Sequence, residues 1–271
     1  RPIKWTADRS EAFITDCHGR DHVTDAKLAL DADGKIIGLR TKTYAAMGAY
    51  LSNFSTCVPS YLHGTLMQGL YTTPAVHVDV TAVVTHTVPV DAYRGAGRPE
   101  ATYSIERLVE TAAREIGMDP AEFRKKNFIP AFDGVNQPGY QTQVALQYDS
   151  GDYEGALDKA LEVSDYEGLK AQRDKARSDG KLMGIGFSTY IEACGIAPSA
   201  VVGSLGARVG LYDAASIRVH PTGKVTIHSG AHSHGQGHET TFAQVVADAF
   251  GIGMEDVNVV HGDTENVPFG M

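Results

Sequence analysis

Hydrophobic positions in the first part of the chain follow the rhythm of strands. Val23, Leu28 and Leu30 stand among short polar interruptions, Asp31-Ala32-Asp33-Gly34 is a turn signal, and Ile36-Ile37-Gly38-Leu39 resumes the pattern. Residues 21–50 therefore predict paired strands. Residues 44–70, rich in Ala, Gly, Ser and Tyr, keep no clean period and predict loop with a short helix. Val76, Val78 and Val80 alternate into Ala82-Val83-Val84, a strand entering the interior. The period then changes. Ile105, Leu108, Val109, Ala112, Ala113 and Ile116 recur at steps of three and one, the signature of a single apolar helix face. Pro99 and Glu100 suit its first turn and Gly117 its stop, and a second short helix is expected from Asp119-Pro120 to Asn127.

Residues 130–150 carry Pro130, Asp133-Gly134, Asn136 and Pro138-Gly139, a turn-rich connector. Two charged helices follow over 152–163 and 165–178, and the mixed charges from Asp165 to Lys181 read as a solvated face. Beyond Gly180 the pattern turns to β. Strands are predicted over Gly184 to Glu192, Ala207 to Val219 and Lys224 to Ser229, with Pro221-Thr222-Gly223 as a turn. An amphipathic helix bearing Phe242, Val245, Val246, Ala249 and Phe250 comes next, then a strand from Asp256 to His261 ending in Gly262-Asp263-Thr264. The expected class is mixed α/β (α+β) with two subdomains: residues 1–135, a connector at 136–150, and residues 151–271.

Composition narrows the function. A length of 271 residues suits about two domains at roughly 150 each. Hydrophobic residues at 42% and charged residues at 21% are those of a globular chain. No apolar run approaches the ~18 residues of a membrane span. Lys and Arg number 24 against 33 Asp and Glu, a net charge of −9 with no basic block, which argues against a nucleic-acid surface. Cys17, Cys57 and Cys194 are widely spaced without a Cys-x-x-Cys, which suits reduced thiols in a cytoplasmic protein and excludes a cysteine zinc site. Arg1-Pro2-Ile3-Lys4-Trp5 has no initiator Met and no signal or transit pattern, so the chain reads as a piece of a longer polypeptide. Glycine is in excess at 29 residues, concentrated at 92–98, 184–186, 203–210 and 230–237.

Two of those stretches share one device: strand, glycine-rich loop, amphipathic helix. Glycines let backbone approach a ligand without a Cβ in the way, and a helix N-terminus presents unpaired N–H groups with partial positive charge. Loops 92–98 and 230–239 match neither the P-loop nor the Rossmann spacing. Arg94 and Arg98 in one loop and Gln236 in the other favour a phosphate-bearing ligand, while close packing is the plainer alternative. His228, His232, His234 and His238 invite a metal site, but they flank a loop rather than share a helix face, so pocket lining and hydrogen bonding are expected instead. Cys57 and Cys194 read as small buried residues.

At these loops the sequence resembles a known superfamily. Ala92-Tyr93-Arg94-Gly95-Ala96-Gly97-Arg98-Pro99-Glu100 is similar to the active-site loop of the molybdenum hydroxylases, the xanthine dehydrogenase and aldehyde oxidase superfamily. Gly184-Ile185-Gly186-Phe187-Ser188-Thr189-Tyr190-Ile191-Glu192-Ala193-Cys194-Gly195 resembles the aerobic carbon monoxide dehydrogenase large-subunit branch. So do the run from His234-Gly235-Gln236-Gly237 to Gln244 and the segment Val260-His261-Gly262-Asp263-Thr264. The likeness runs the whole chain from Trp5 onward. It implies a partial molybdopterin-binding domain of two subdomains in a large catalytic subunit. The cofactor implied is the molybdenum–molybdopterin cytosine dinucleotide. Family members oxidise a substrate carbon with oxygen from water, and electrons leave through 2Fe-2S clusters and FAD on partner subunits, in a dimer of heterotrimers.

By the same resemblance Tyr93, Arg94, Gly95, Ala96, Gly235, Gln236, Gly237 and Thr240 would contact the cofactor, Arg94 and Gln236 most directly. No metal ligand and no catalytic residue is expected in this chain, because the family glutamate lies downstream. Two departures bear on substrate. CO-oxidising enzymes of the first type carry a copper-binding cysteine where this chain has Gly95, so the loop resembles the second, copper-free type. Ala96 stands where purine oxidisers have a stacking phenylalanine. A true CO dehydrogenase, a non-catalytic nucleotide- or anion-binding module and a histidine-based metalloprotein are the alternatives.

Overall fold

The computed structural model describes residues 3–53, 55–144, 146–192, 203 and 212–270. They fall into two compact units, Arg1–Glu192 and Ala193–Met271.

The first unit opens with a short helix, α1 (Arg9–Thr15), and a hairpin of β1 (His22–Leu30) and β2 (Ile36–Ala46). Asp31 makes the turn: its carboxylate accepts from the backbone N–H of Asp33 and Lys35, and Gly34 takes φ 81°. A third strand, β3 (Val76–Val83), runs parallel to β2, giving the order β1-β2-β3. Between β2 and β3 a π-helical turn (Cys57–Leu62) runs into one α-turn, α2 (His63–Thr65), the helix expected within 44–70.

The long helix α3 (Arg98–Glu115) and α4 (Pro120–Asn127) follow. Ala101, Ile105, Val109, Ala112 and Ala113 of α3 are buried with Ile36, Leu39, Met67, Leu70, Tyr71 and Phe123 in the main core. A small hairpin, β4 (Tyr140–Gln141) with β5 (Gln147–Tyr148), precedes helices α5 (Tyr153–Val163) and α6 (Tyr166–Ser178).

A charged cluster lies inside this core. The Arg124 guanidinium, fully buried, pairs with Glu106 at 3.0 Å and Glu110 at 3.2 Å, and the Tyr71 hydroxyl donates to Glu106. Two carboxylates around one guanidinium keep every member paired where an isolated charge would be costly. The cluster explains one difference from the sequence pattern. Residues 184–192 are extended but pair with no strand among the described residues. Ile185, Phe187 and Ile191 pack on the α3–α4 core, and Thr189 is held by Glu106, through its N–H and its hydroxyl at 2.9 Å each. A two-residue alternation reports extended backbone with one face buried, and here that face lies on the helical core. α1 is the other difference. It buries no residue, so no periodicity announces it.

The second unit repeats the three-strand arrangement: β6 (Ala215–Val219) antiparallel to β7 (Val225–Ser229), and β7 parallel to β8 (Val257–Val260). The helix α7 (His238–Phe250) crosses between β7 and β8, and Val246 packs with Val225 and Ile227, flanked by Phe242, Ile252, Val257 and Val259. The strand predicted from Ala207 is described only from residue 212 and begins at Ala215, and most of the 203–210 glycine stretch lies outside the described residues. Among the described residues no helix is long and apolar enough to cross a membrane.

Candidate cofactor-binding loops

Tyr93, Arg94, Gly95 and Ala96 form one tight loop ahead of α3. Tyr93 O accepts from Ala96 N at 2.8 Å and Gly95 O from Arg98 N at 2.9 Å, so two turns follow in succession. Gly95 and Gly97 carry them with φ of 88° and 85°, where an L side chain is strained. Gly97 is also a packing position: a Cβ there would lie 2.5 Å from Leu62 Cβ and 2.9 Å from His63 N. His63 beneath it is fully buried, its Nε2 is 3.2 Å from Thr43 Oγ1, and its ring meets His22 at 4.4 Å. Burial, with His22 adding to it, depresses the His63 pKa to about 3, so it is a neutral packing element.

The charges divide the labour. Arg98 pairs with Glu192 at 2.8 Å, which ties the loop to the extended segment 184–192. Arg94 and Tyr93 are exposed at the tip, Tyr93 by 65%. Of the two arginines the sequence singles out, Arg98 anchors the loop and Arg94 lies exposed at its tip.

In the second unit Gly235, Gln236, Gly237 and Thr240 come together in the loop and first turn of α7. Gly235 and Gly237 have φ of 96° and 77°, and a Cβ on Gly237 would meet nothing within 4 Å. Gln236 Oε1 accepts the His234 backbone N–H, which leaves the Gln236 amide NH2 as an outward donor. Histidines brace this loop. His232 Nδ1 lies 2.9 Å from His261 Nδ1, and His261 Nε2 lies 2.7 Å from Glu239 Oε1. With neutral rings the chain runs one way: His232 donates to His261, and His261 donates to Glu239. That bond holds the Glu239 carboxyl below its ordinary range. Among the described residues no group of three or more His, Cys, Asp or Glu is arranged to hold a metal ion. Cys57 is half-buried with its thiol pushed up by burial, Cys17 is exposed, and Cys194 lies outside the described residues.

The helix N-termini set these two loops apart. Helices α1, α4, α5 and α6 are each capped by an aspartate side chain, from Asp8, Asp119, Asp152 and Asp165. Helices α3 and α7 have Gly97 and Gly237 at the cap, with no side-chain hydrogen bond; among the other described α-helices only the single turn α2, after Leu62, shares that lack. An aspartate cap satisfies an orphan N–H with a side chain; α3 and α7 lack that cap, while each carries a carboxylate in its first turn, Glu100 and Glu239, and the Arg98 N–H of α3 is engaged by Gly95 O.

Sequence reasoning finds both glycine loops, but not the pairing of Arg20 with Glu100, that of His232 with His261, or the burial of His63. Their contacts join residues far apart in the chain. Only the lone Gly19-Arg20-Asp21 and the Gly-Asp-Thr segment around His261 stand there as signals, and neither specifies a partner.

Comparison with known proteins gives these loops a context. Residues 1–128 and 159–271 each match a sequence family described as molybdopterin cofactor-binding domain. The carbon monoxide dehydrogenase large chain of Hydrogenophaga pseudoflava is 41% identical over 280 residues, covering 100% of this chain and 34% of that one. A crystal structure of quinoline 2-oxidoreductase from Pseudomonas putida 86 superposes with a TM-score of 0.83 at 32% identity, over 98% of this chain and 34% of the other. Reconstituted CO dehydrogenase from Oligotropha carboxidovorans gives 0.79 at 35% identity, over 98% and 33%. The chain spans about a third of the length of the curated relatives it matches. It belongs to the molybdenum hydroxylase family that includes the carbon monoxide and xanthine dehydrogenase large chains, and it carries that family's molybdopterin cofactor-binding domains.

Proposed function

We propose that this chain is the molybdenum-cofactor-binding part of the large catalytic subunit of a carbon monoxide dehydrogenase-like or aldehyde oxidase-like hydroxylase. The observation that carries the reading is the pair of helices, α3 and α7, which begin at glycines without a side-chain cap, where four of the five other described α-helices are closed by aspartate. Helix ends without a side-chain cap, behind glycines of positive φ, fit a phosphate-bearing pterin. In the first unit Tyr93, Arg94, Gly95 and Ala96 are the proposed cofactor contacts, and in the second unit Gly235, Gln236, Gly237 and Thr240.

Each residue has a distinct task. Arg94 brings an exposed guanidinium for an anionic oxygen, and Gln236 offers its amide NH2 because its carbonyl is engaged by His234. Gly235 and Gly237 admit close backbone approach, and Thr240 places a hydroxyl on the first turn of α7. When bound, the cofactor supplies two-electron oxidation of the substrate with oxygen taken from water. Its form here is the molybdopterin cytosine dinucleotide. The proton-handling glutamate comes from sequence beyond this chain, and electrons pass to 2Fe-2S and FAD subunits in a cytoplasmic dimer of heterotrimers. In modular terms, residues 1–135 end the first cofactor-binding subdomain, 136–150 connect, and 151–271 begin the second.

Analysis of the full-length protein for molybdenum, pterin and released cytidine nucleotide tests this. Stoichiometric molybdenum with the cytosine form is expected, and an active preparation containing neither metal nor pterin overturns it. The substrate is proposed to differ from that of the copper-containing enzymes, since Gly95 offers no ligand atom. Copper bound stoichiometrically beside molybdenum would reverse that assignment. Turnover of an aldehyde or N-heterocycle in preference to CO, with an artificial electron acceptor, is the expected result.

A further inference from the structure

Among the described residues only two non-glycine positions have positive φ, Asp165 and Arg20. Asp165 is explained by its neighbourhood, because it caps α6. Arg20 caps nothing, and at φ 27° it sits just before β1 in a conformation that costs energy. Its side chain shows what that strain is held for. Arg20 Nε donates to Glu100 Oε2 at 3.0 Å, and its Nη2 donates to Arg94 O at 2.6 Å, with Tyr93 O at 3.5 Å. The guanidinium also stands 5.0 Å from the centre of the Tyr93 ring. Glu100 is 9% exposed in the first turn of α3, so the fork is fixed at its base by a buried carboxylate.

The geometry has a directional consequence. In a trans peptide the C=O and the following N–H point opposite ways. Carbonyls of Tyr93 and Arg94 drawn toward Arg20 turn the N–H groups of Arg94 and Gly95 away from it. Two consecutive N–H groups of the loop thereby face away from Arg20, the arrangement that receives an anionic oxygen. Arg20 itself, neutralised by Glu100 and engaged by two carbonyls, is not the ligand's partner. We propose that Arg20 is the positioning residue of the 93–96 loop, setting the peptide orientation with which Arg94 and Gly95 meet the molybdopterin cofactor. This rests on the cofactor reading above.

The test uses the full-length enzyme with its partner subunits, purified from molybdate-fed and molybdate-starved cells, as wild type, Arg20→Gln, Arg20→Lys, Glu100→Gln and the exposed control Arg107→Gln. Hydrogen exchange of residues 94–97 in starved protein reads the loop without any cofactor. Arg20→Gln is expected to speed that exchange about tenfold while β1, the rest of α3 and the melting temperature stay put. Molybdenum content of the fed protein should fall about tenfold with it. Arg20→Lys keeps the pair with Glu100 but lacks the planar fork, so it should restore little of the loop's protection. Glu100→Gln, if Arg20→Gln fails to fold, should loosen the loop in the same local way. Unchanged exchange at 94–97 overturns the proposal. So does faster exchange spread evenly through β1 and α3 with a lowered melting temperature, which marks a general structural role. A looser loop with full molybdenum content overturns the link to the cofactor. Wild-type enzyme without molybdenum or pterin defeats the functional reading instead, and the exchange experiment still reports on Arg20.

Discussion

The two glycine loops each lead into a helix with no side-chain cap, yet they are built in opposite ways. The first is embedded: Gly97 is buried against Leu62 and His63, Arg20 and Arg98 grip the loop from either side, and the Arg124 cluster lies beneath the segment that Arg98 reaches. The second stands clear. Gly237 has empty space around its missing Cβ, and its bracing is a surface chain of two histidines and a glutamate. Packing makes the first loop rigid and intolerant of change. Among the described residues the second is held by hydrogen bonds and histidine ring contacts, which re-form after small displacements as packed backbone does not.

The contrast can be broken by substitution, each effect read in the full chain by denaturant unfolding with hydrogen exchange followed in each unit separately. Arg124→Ala should have the largest effect, about 3–5 kcal/mol in the first unit, because it leaves the buried Glu106 carboxylate without its cation, while Glu110 keeps Arg114. A loss under about 1 kcal/mol would show the cluster to be dispensable. Gly97→Ala should cost about 3 kcal/mol through collision with Leu62 backbone in addition to the φ penalty.

Acid should weaken the first unit selectively. Folded His63 takes a proton only near pH 3, whereas an unfolded histidine does so near 6.5. The unfolded chain therefore binds more protons across that interval, and stability falls as pH falls through it, by up to about 1.4 kcal/mol per pH unit. Above pH 6.5 the contribution of neutral His63 is fully present, and His63→Gln should flatten the slope. None of the described histidines of the second unit is fully buried, so a matching slope there would contradict the comparison. Gly237→Ala should show the smallest effect, about 1 kcal/mol, since only its φ of 77° opposes a side chain. An effect equal to that of Gly97→Ala would erase the distinction between the loops.

Legibility in the sequence follows the range of the contacts. α3 is visible because Ile105, Leu108, Val109 and Ala112 repeat within one element, and the Asp31–Gly34 turn because its bonds close within four residues. The glycines of both loops are visible because a positive φ leaves few alternatives at those positions. What holds the loops is hidden. Arg20 meets Glu100 across 80 positions and His232 meets His261 across 29, and no local pattern encodes either pairing. Residues 184–192 show the intermediate case: the extended backbone is legible from Ile185, Phe187 and Ile191, while the surface they rest on is not.

That extended segment carries a last consequence. Among the described residues no ladder of backbone bonds fixes its alignment, and packing alone would let it slide by two residues and bury the same face. Thr189 removes that freedom. Its N–H and hydroxyl both end on the Glu106 carboxylate, with the Phe187 carbonyl 3.4 Å from the Arg124 guanidinium. A slide would leave a buried carboxylate short of two donors. The ion cluster thus works as a key that admits one alignment of the segment, and through Glu192 that alignment fixes where the Arg98 end of the first loop comes to rest.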